Sequence, residues 1–272
     1  MKRFLFIFLA LLMIGGFLAV LVNAGMLIQA TGGGAAYTNY ENHADVYAFW
    51  YFEESSTPWD NGEGTAARDL VWTNGPTQDT GDYIQGSSSA HFAAVEYDYG
   101  GYTPATGDPG YDYTDDFTMG CWVQVDDQTA DRGIMGLGRN GTDLSWAFYY
   151  DTGNDDFEFG VTTNGWGTVY TVTSTQDVGT GWYFVVIQFE LSTQYYRLFV
   201  GDASTAVTEY STDADYDYYT DTGITNGVWI GLTRTNDYQR HDGNIDECWI
   251  IKDILTETEI NEIRLHRFDG SN

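Results

Sequence analysis

Between Asp45 and Lys252 the chain repeats one pattern: short runs rich in Val, Ile, Tyr, Phe, Trp and Thr, parted by clusters of Gly, Asp, Asn and Thr. No stretch in that span carries apolar residues at helical spacing over any length, so the runs read as strands and the clusters as turns. The clearest strands are 46–53, 90–95, 117–125, 133–138, 144–150, 156–162, 181–190, 195–200, 228–232 and 243–251. In the first of the two cysteine-bearing strands Phe117, Met119, Cys121 and Val123 fall on one side; in the second, Asp246, Cys248 and Ile250 do. Strands of this kind must bury one face against a second sheet. The expected fold is therefore all-β, a two-sheet antiparallel sandwich, and 272 residues suffice for one such core plus an appendage. One helix is expected, at the C-terminal end: Thr256-Glu-Thr-Glu259 is a capping-box pattern, with Ile260, Ile263 and Leu265 following on one side.

The appendage is N-terminal. Lys2 and Arg3 precede an uncharged apolar run over 4–22, broken by Asn23-Ala24-Gly25. Small residues at the end of the run fit a signal peptide cleaved after Ala24, while its length fits a retained anchor helix. Either reading sends the rest of the chain out of the cytoplasm, because the basic flank stays inside. The expected organisation is a signal or anchor segment over 1–24, a Gly-rich tether over 25–44 that includes Thr31-Gly-Gly-Gly34, and one domain over 45–272.

Forty acidic against eleven basic residues give a formal net charge of −29. That field repels phosphate backbones and anionic lipid, which excludes nucleic acid and leaves membrane contact to the N-terminal segment alone. Cations are the natural counter-partners, although an acid-rich, lysine-poor surface also serves solubility at high salt. Two long segments, 96–116 and 208–222, repeat Tyr and Asp and read as functional loops.

The order of motifs resembles the laminin-G-like jelly roll of the concanavalin A-like lectin and glucanase superfamily. Ala48-Phe-Trp-Tyr-Phe-Glu53 is similar to its opening strand, and Phe117-Thr-Met-Gly-Cys-Trp-Val123 to its Phe-Thr-x-x-x-Trp-Val strand. Gly181-Trp-Tyr-Phe-Val-Val-Ile187 stands where histidines are common, with Tyr183 and Phe184 in their place. Tyr195-Tyr-Arg-Leu-Phe-Val-Gly201 and Val228-Trp-Ile-Gly-Leu232 resemble two further strands. His241-Asp-Gly-Asn-Ile-Asp-Glu-Cys-Trp-Ile-Ile251 with Leu255-Thr-Glu-Thr-Glu-Ile260 resembles the closing strand and helix. The resemblance implies the fold and leaves the function open, because one fold hosts many functions. It also implies a calcium ion near the closing strand, with Asp246 as a carboxylate ligand and Glu53 or Asp69 as further ones.

Cys121 and Cys248 are the only cysteines; an even count in an exported chain favours a disulfide, and two buried free thiols are the other reading. Aromatic residues in expected loops or strand ends are candidate glycan platforms: Trp59, Trp72, Tyr102, Tyr111, Tyr113, Trp166, Tyr216 and Tyr218. An enzyme of the related glycosidase kind would carry two carboxylates in a Glu-x-Asp-x-x-Glu run, and the nearest run here, Asp155-Asp-Phe-Glu158, lacks the first Glu. His43, His91, His241 and His266 are isolated from any nucleophile signature. The expectation is a non-catalytic extracellular binding or adhesion module for glycan or protein; the alternative is a structural subunit of a surface or filament assembly, with self-association and no soluble ligand.

Overall fold

The structure, a computed structural model, describes residues 38–55, 59–103, 105, 115–139, 143–162, 169–211, 227–233, 239–266 and 268. All but Thr38 belong to the compact unit Asn39–Asn272. The expected segments 1–24 and most of 25–44 lie outside the described residues. The end of the expected tether does not: Tyr40–Asn42 forms a 3-10 turn whose Tyr40 is buried, so the folded unit begins before residue 45.

The strands are β1 (Val46–Trp50), β2 (Val71–Thr73), β3 (Thr77–Asp79), β4 (Ser89–Phe92), β5 (Tyr99–Tyr102), β6 (Phe117–Val125), β7 (Arg132–Arg139), β8 (Asp143–Asp151), β9 (Asp156–Thr162), β10 (Val169–Thr173), β11 (Trp182–Glu190), β12 (Tyr195–Asp202), β13 (Thr208–Ser211), β14 (Gly227–Ile230) and β15 (Gly243–Ile251). One sheet runs β13-β12-β11-β6-β15-β4-β3 with β1 also pairing β15; the other runs β10-β9-β8-β7-β14-β5-β2. All strand pairings among the described residues are antiparallel, so the expected all-β two-sheet sandwich is the observed one. The helix α1 (Glu257–His266) starts as expected: the Thr256 N–H donates to Glu259 Oε2 at 2.7 Å, and the Glu259 N–H donates to Thr256 Oγ1 at 3.3 Å. Ile260 and Ile263 are buried, but Leu265 is exposed and the stem of Arg264 takes the buried place beside them.

Between the sheets lies one aromatic-rich core containing Trp50, Phe117, Met119, Cys121, Phe148, Phe157 and Ile250. A second cluster covers the outer face of the first sheet: Trp122, Phe184, Val186 and Trp249 meet Leu255, Ile260, Ile263 and Phe268. This explains why β6, β11 and β15 are apolar on both faces. Among the described residues no helix covers the outer face of the second sheet.

The alternation expected along β15 fails at one point. Ile245 is in the core, yet so are Cys248 and Ile250, because the β15–β6 register shifts between Asp246 and Trp249 around Glu247, whose φ is 53°. The bulge reverses parity, so Asp246 lies off the core face that the period-two reading gave it. The extra residue also divides one side of β15 between two partners, β4 before the bulge and β1 after it.

Both cysteines are free thiols, buried at the core face, and hydrogen-bonded to each other. The expected disulfide is not formed. Burial, with the Cys121 contact adding to it, pushes the Cys248 thiol well above the ordinary range, which leaves it protonated and unreactive. A maleimide should label neither cysteine in the native protein and both in denaturant; absence of label in denaturant would show a bridge instead.

Candidate functional site

The outer face of the seven-stranded sheet holds a groove of about 410 Å³ lined by Asp69, Val71, Thr73, Tyr99, Gly101, Tyr102 and Trp229, among others. Its platform is built by register. Val228 and Ile230 of β14 point into the core, so Trp229 points out, and its cross-strand neighbours are Gly101 on β5 and Gly136 on β7. The indole lies down on glycine: a Cβ at Gly101 would stand 2.2 Å from its ring, and one at Gly227 2.5 Å. Indole Nε1 donates to the Gly138 carbonyl at 2.8 Å, which holds that edge of the ring against β7. Tyr99 stands edge-on to it, ring centroids 5.4 Å apart at 87°. Val71, 62% exposed, adds an apolar wall, and Asp69 a carboxylate whose Oδ1 accepts the Asn61 N–H at 2.9 Å. An aromatic plate beside a positioned polar group in a cleft of this size is the usual makeup of a small-ligand site.

A larger groove, of about 610 Å³, is lined by Glu41, His43, Phe49, Tyr51, Glu63 and neighbours. Its polar groups are spent on one another: the Tyr51 hydroxyl donates to Glu41 Oε1 at 2.8 Å, and Asn39 holds the same carboxylate. It therefore offers a ligand less than the sheet-face groove does.

Of the expected aromatic platforms, the structure removes two as exposed plates. Trp59 is wholly buried, packed between Phe52, Trp72 and Phe92, and Tyr102 is 5% exposed against Trp50. Trp72 is half-buried and turned onto the core. Tyr111, Tyr113, Trp166, Tyr216 and Tyr218 lie outside the described residues. Asp69 and Tyr102 do come together, at the groove, but with Trp229 and Tyr99, which sequence reading left among the ordinary strand and loop residues. The available signal was the alternation Val228-Trp-Ile230, which turns one Trp outward.

The expected calcium ligands are not gathered into one group. Asp246 is wholly buried and both its oxygens are in use: Oδ2 accepts the N–H groups of Ile84 at 2.8 Å and Gln85 at 3.0 Å, and Oδ1 that of Glu247 at 2.8 Å. Burial pushes its carboxyl up to about 7 despite those bonds. Glu53 accepts the Ser87 N–H and hydroxyl, and Gly86, at φ 68°, lies against it where a Cβ would be 1.9 Å from Oε1. Asp246, beside the bulge of β15, and Glu53, past the end of β1, thus pin the same loop, a structural duty, while Asp69 serves the groove. Among the described residues, the three-membered groups whose ligand atoms lie within 4.8 Å are others: His43, Asp45 and Asp253, and Asp151, Asp156 and Glu158.

The Asp155–Glu158 run opens β9. Glu158 accepts from the Tyr149 hydroxyl at 2.5 Å and the Asn154 amide at 3.4 Å, and Asp156 is 5% exposed. Two carboxyls closed over in this way leave no passage for a glycosidic bond between them.

A model of the concanavalin A-like lectin/glucanases superfamily, Laminin_G_3, matches residues 98–261. The chain belongs to this superfamily. No curated protein matches it in sequence. Among solved structures, this lectin-like chain is similar to the binding domain of botulinum neurotoxin DC in complex with rat synaptotagmin II, at 10% identity and TM-score 0.61, covering 84% of this chain and 52% of that one. The binding domain of Paraclostridial Mosquitocidal Protein 1 gives 12% identity and TM-score 0.61, covering 85% and 56%. Domain 4 of AbnA, an extracellular arabinanase from Geobacillus stearothermophilus in complex with arabinotriose, gives 12% and 0.59, covering 81% and 98%. The lectin-like chain spans about half the length of the toxin binding domains it matches.

Proposed function

We propose that this lectin-like chain is a non-catalytic carbohydrate-binding module that works outside the cytoplasm, with a sugar seated on Trp229. The observation that carries the reading is the indole laid flat on Gly101 and Gly227, with Tyr99 at its edge and Asp69 within the same groove. A pyranose or furanose offers an apolar C–H face to an aromatic plate and hydroxyls to a carboxylate, which is the complement of this surface. A cleft of about 410 Å³ takes one or two sugar rings. The unit shares its fold both with an arabinanase domain held with arabinotriose and with a toxin binding domain held with synaptotagmin II, and the aromatic plate of the groove is what favours sugar here.

Glycan-array screening that includes arabino-oligosaccharides, followed by calorimetry on the hits, tests the reading. Trp229→Ala should weaken binding at least about tenfold, as loss of a central aromatic anchor does, while Val95→Ala, 83% exposed and absent from the groove lining, should leave it unchanged. Equal affinity in the Trp229 variant would overturn the assignment, and self-assembly with no glycan bound would favour a structural subunit.

A further inference from the structure

We propose that the β8–β9 hairpin holds a calcium ion between the carboxylates of Asp151, Asp156 and Glu158. The site follows from register. Asp151 faces Asp156 and Tyr149 faces Glu158 across the hairpin, while Phe157 and Phe159 take the core side, so the three acids share the outer face. Like charges set opposite one another in a sheet repel, and a chain selected only for the sandwich has no reason to stack three there. Their nearest oxygens lie within 4.8 Å of one another, the spread expected of ligands around one ion bound at about 2.3–2.6 Å.

A second observation points to a ligand. Asp156 is 5% exposed, and its Oδ1 is buried with no hydrogen-bond partner. A desolvated carboxylate without a donor is costly unless something positive meets it. Among the described residues no Lys, Arg or His side chain forms an ion pair with any of the three. The neighbours instead orient the other two: Tyr149 holds Glu158 Oε2, and the Asn154 amide bridges Asp151 Oδ2 at 2.8 Å and Glu158 Oε1 at 3.4 Å. Such outer hydrogen bonds are what fix ligating carboxylates. The donor set is oxygen alone, which selects a hard cation over zinc or copper, and an irregular set of side chains around a turn suits calcium better than the strict octahedron of magnesium.

The test uses the full chain, freed of metal with a chelator and titrated with calcium by calorimetry and by melting. The wild type should bind calcium and melt higher with it; magnesium should act weakly or not at all. Asp156→Asn should lose calcium binding by at least tenfold yet melt, when metal-free, at or above the metal-free wild type, because it removes a buried charge that makes no hydrogen bond. A merely structural Asp156 would lose stability in both conditions. Asp151→Asn, at the accessible end of the hairpin, gives the same binding readout should the first variant not fold, and Glu53→Gln should keep the calcium response. Absence of binding to the wild type at millimolar calcium, a response to magnesium alone, or binding unchanged in Asp156→Asn or Asp151→Asn would overturn the proposal.

Discussion

Trp50→Ala should destabilise the unit by about 3–5 kcal/mol, the range for removing a large buried aromatic side chain. The ring is wholly buried, packs on Tyr102 at 5.8 Å, and stands opposite Cys248 in the β1–β15 ladder. Its Nε1 also donates to the Arg68 carbonyl at 3.1 Å, and Arg68 in turn reaches back to the Tyr47 carbonyl at 2.6 Å and covers the Tyr47 ring at 3.6 Å. The substitution therefore opens a cavity and unties the turn that presents Asp69 to the groove. Melting should fall by roughly 6–20 °C, at about 2–4 °C per kcal/mol for a unit of this size. Val71→Ala, at an exposed position, should stay within about 0.5 kcal/mol. A Trp50 variant that melts with the Val71 variant would contradict the packing described.

The second large effect is concealed in the wild type. His241 is wholly buried; its Nε2 lies 3.0 Å from the Gln124 carbonyl, which can only accept, so the ring is the neutral tautomer with its proton on Nε2. Desolvation lowers its pKa from 6.5 to about 3. The unfolded chain takes up this proton below 6.5 and the folded one only near 3, so stability is lost as pH falls through that window, by about 1.4 kcal/mol per pH unit. Asp246 acts in the opposite sense. Its folded carboxyl, at about 7 against an ordinary 3.8, takes up a proton before the unfolded one does, so stability is gained as pH falls from about 7 to 3.8.

The two slopes offset each other between roughly pH 6.5 and 4. Asp246→Asn should expose the histidine slope, a loss on the order of 3–4 kcal/mol relative to wild type across that range, and His241→Asn should expose the opposite gain. Urea unfolding of the three proteins at pH 4, 5, 6 and 7 reads this directly, because the comparison of slopes cancels the contributions of other acids and each variant's constant offset. Parallel stability curves for all three would show that neither group titrates as its burial requires.

Long runs of strand-forming residues bounded by turn clusters were legible: 117–125, 156–162 and 243–251 have the bounds expected from sequence. The short strands were not. β5 is Tyr99-Gly-Gly-Tyr102, which reads as a turn because the reason for Gly101 is an indole 128 positions further on, at Trp229. β13 opens the expected loop 208–222 and is held by a ladder to β12 rather than by its own propensity. Trp59, between Pro58 and Asp60, reads as a loop residue and is core, since its burial depends on Phe52, Trp72 and Phe92 arriving from elsewhere. The bulge at Glu247 is a further non-local event, because no residue near it carries the glycine that usually marks one. What sequence lacked in each case was the partner strand.

The ends of the folded unit are tied to each other. The Tyr40 N–H donates to the Phe268 carbonyl at 2.9 Å, the Tyr40 hydroxyl reaches Glu262 Oε2 at 3.2 Å, the Phe268 ring stacks on Trp249 at 5.5 Å, and the Phe268 N–H donates to Glu247 at the bulge. Tension applied through the flanking chain enters and leaves at this one knot, so the first bonds to feel it are those between residues 40 and 268 and not the ladders of either sheet. The sandwich stands to one side of that load, and the ladders that frame its sheet-face groove carry it only once the knot between residues 40 and 268 has opened.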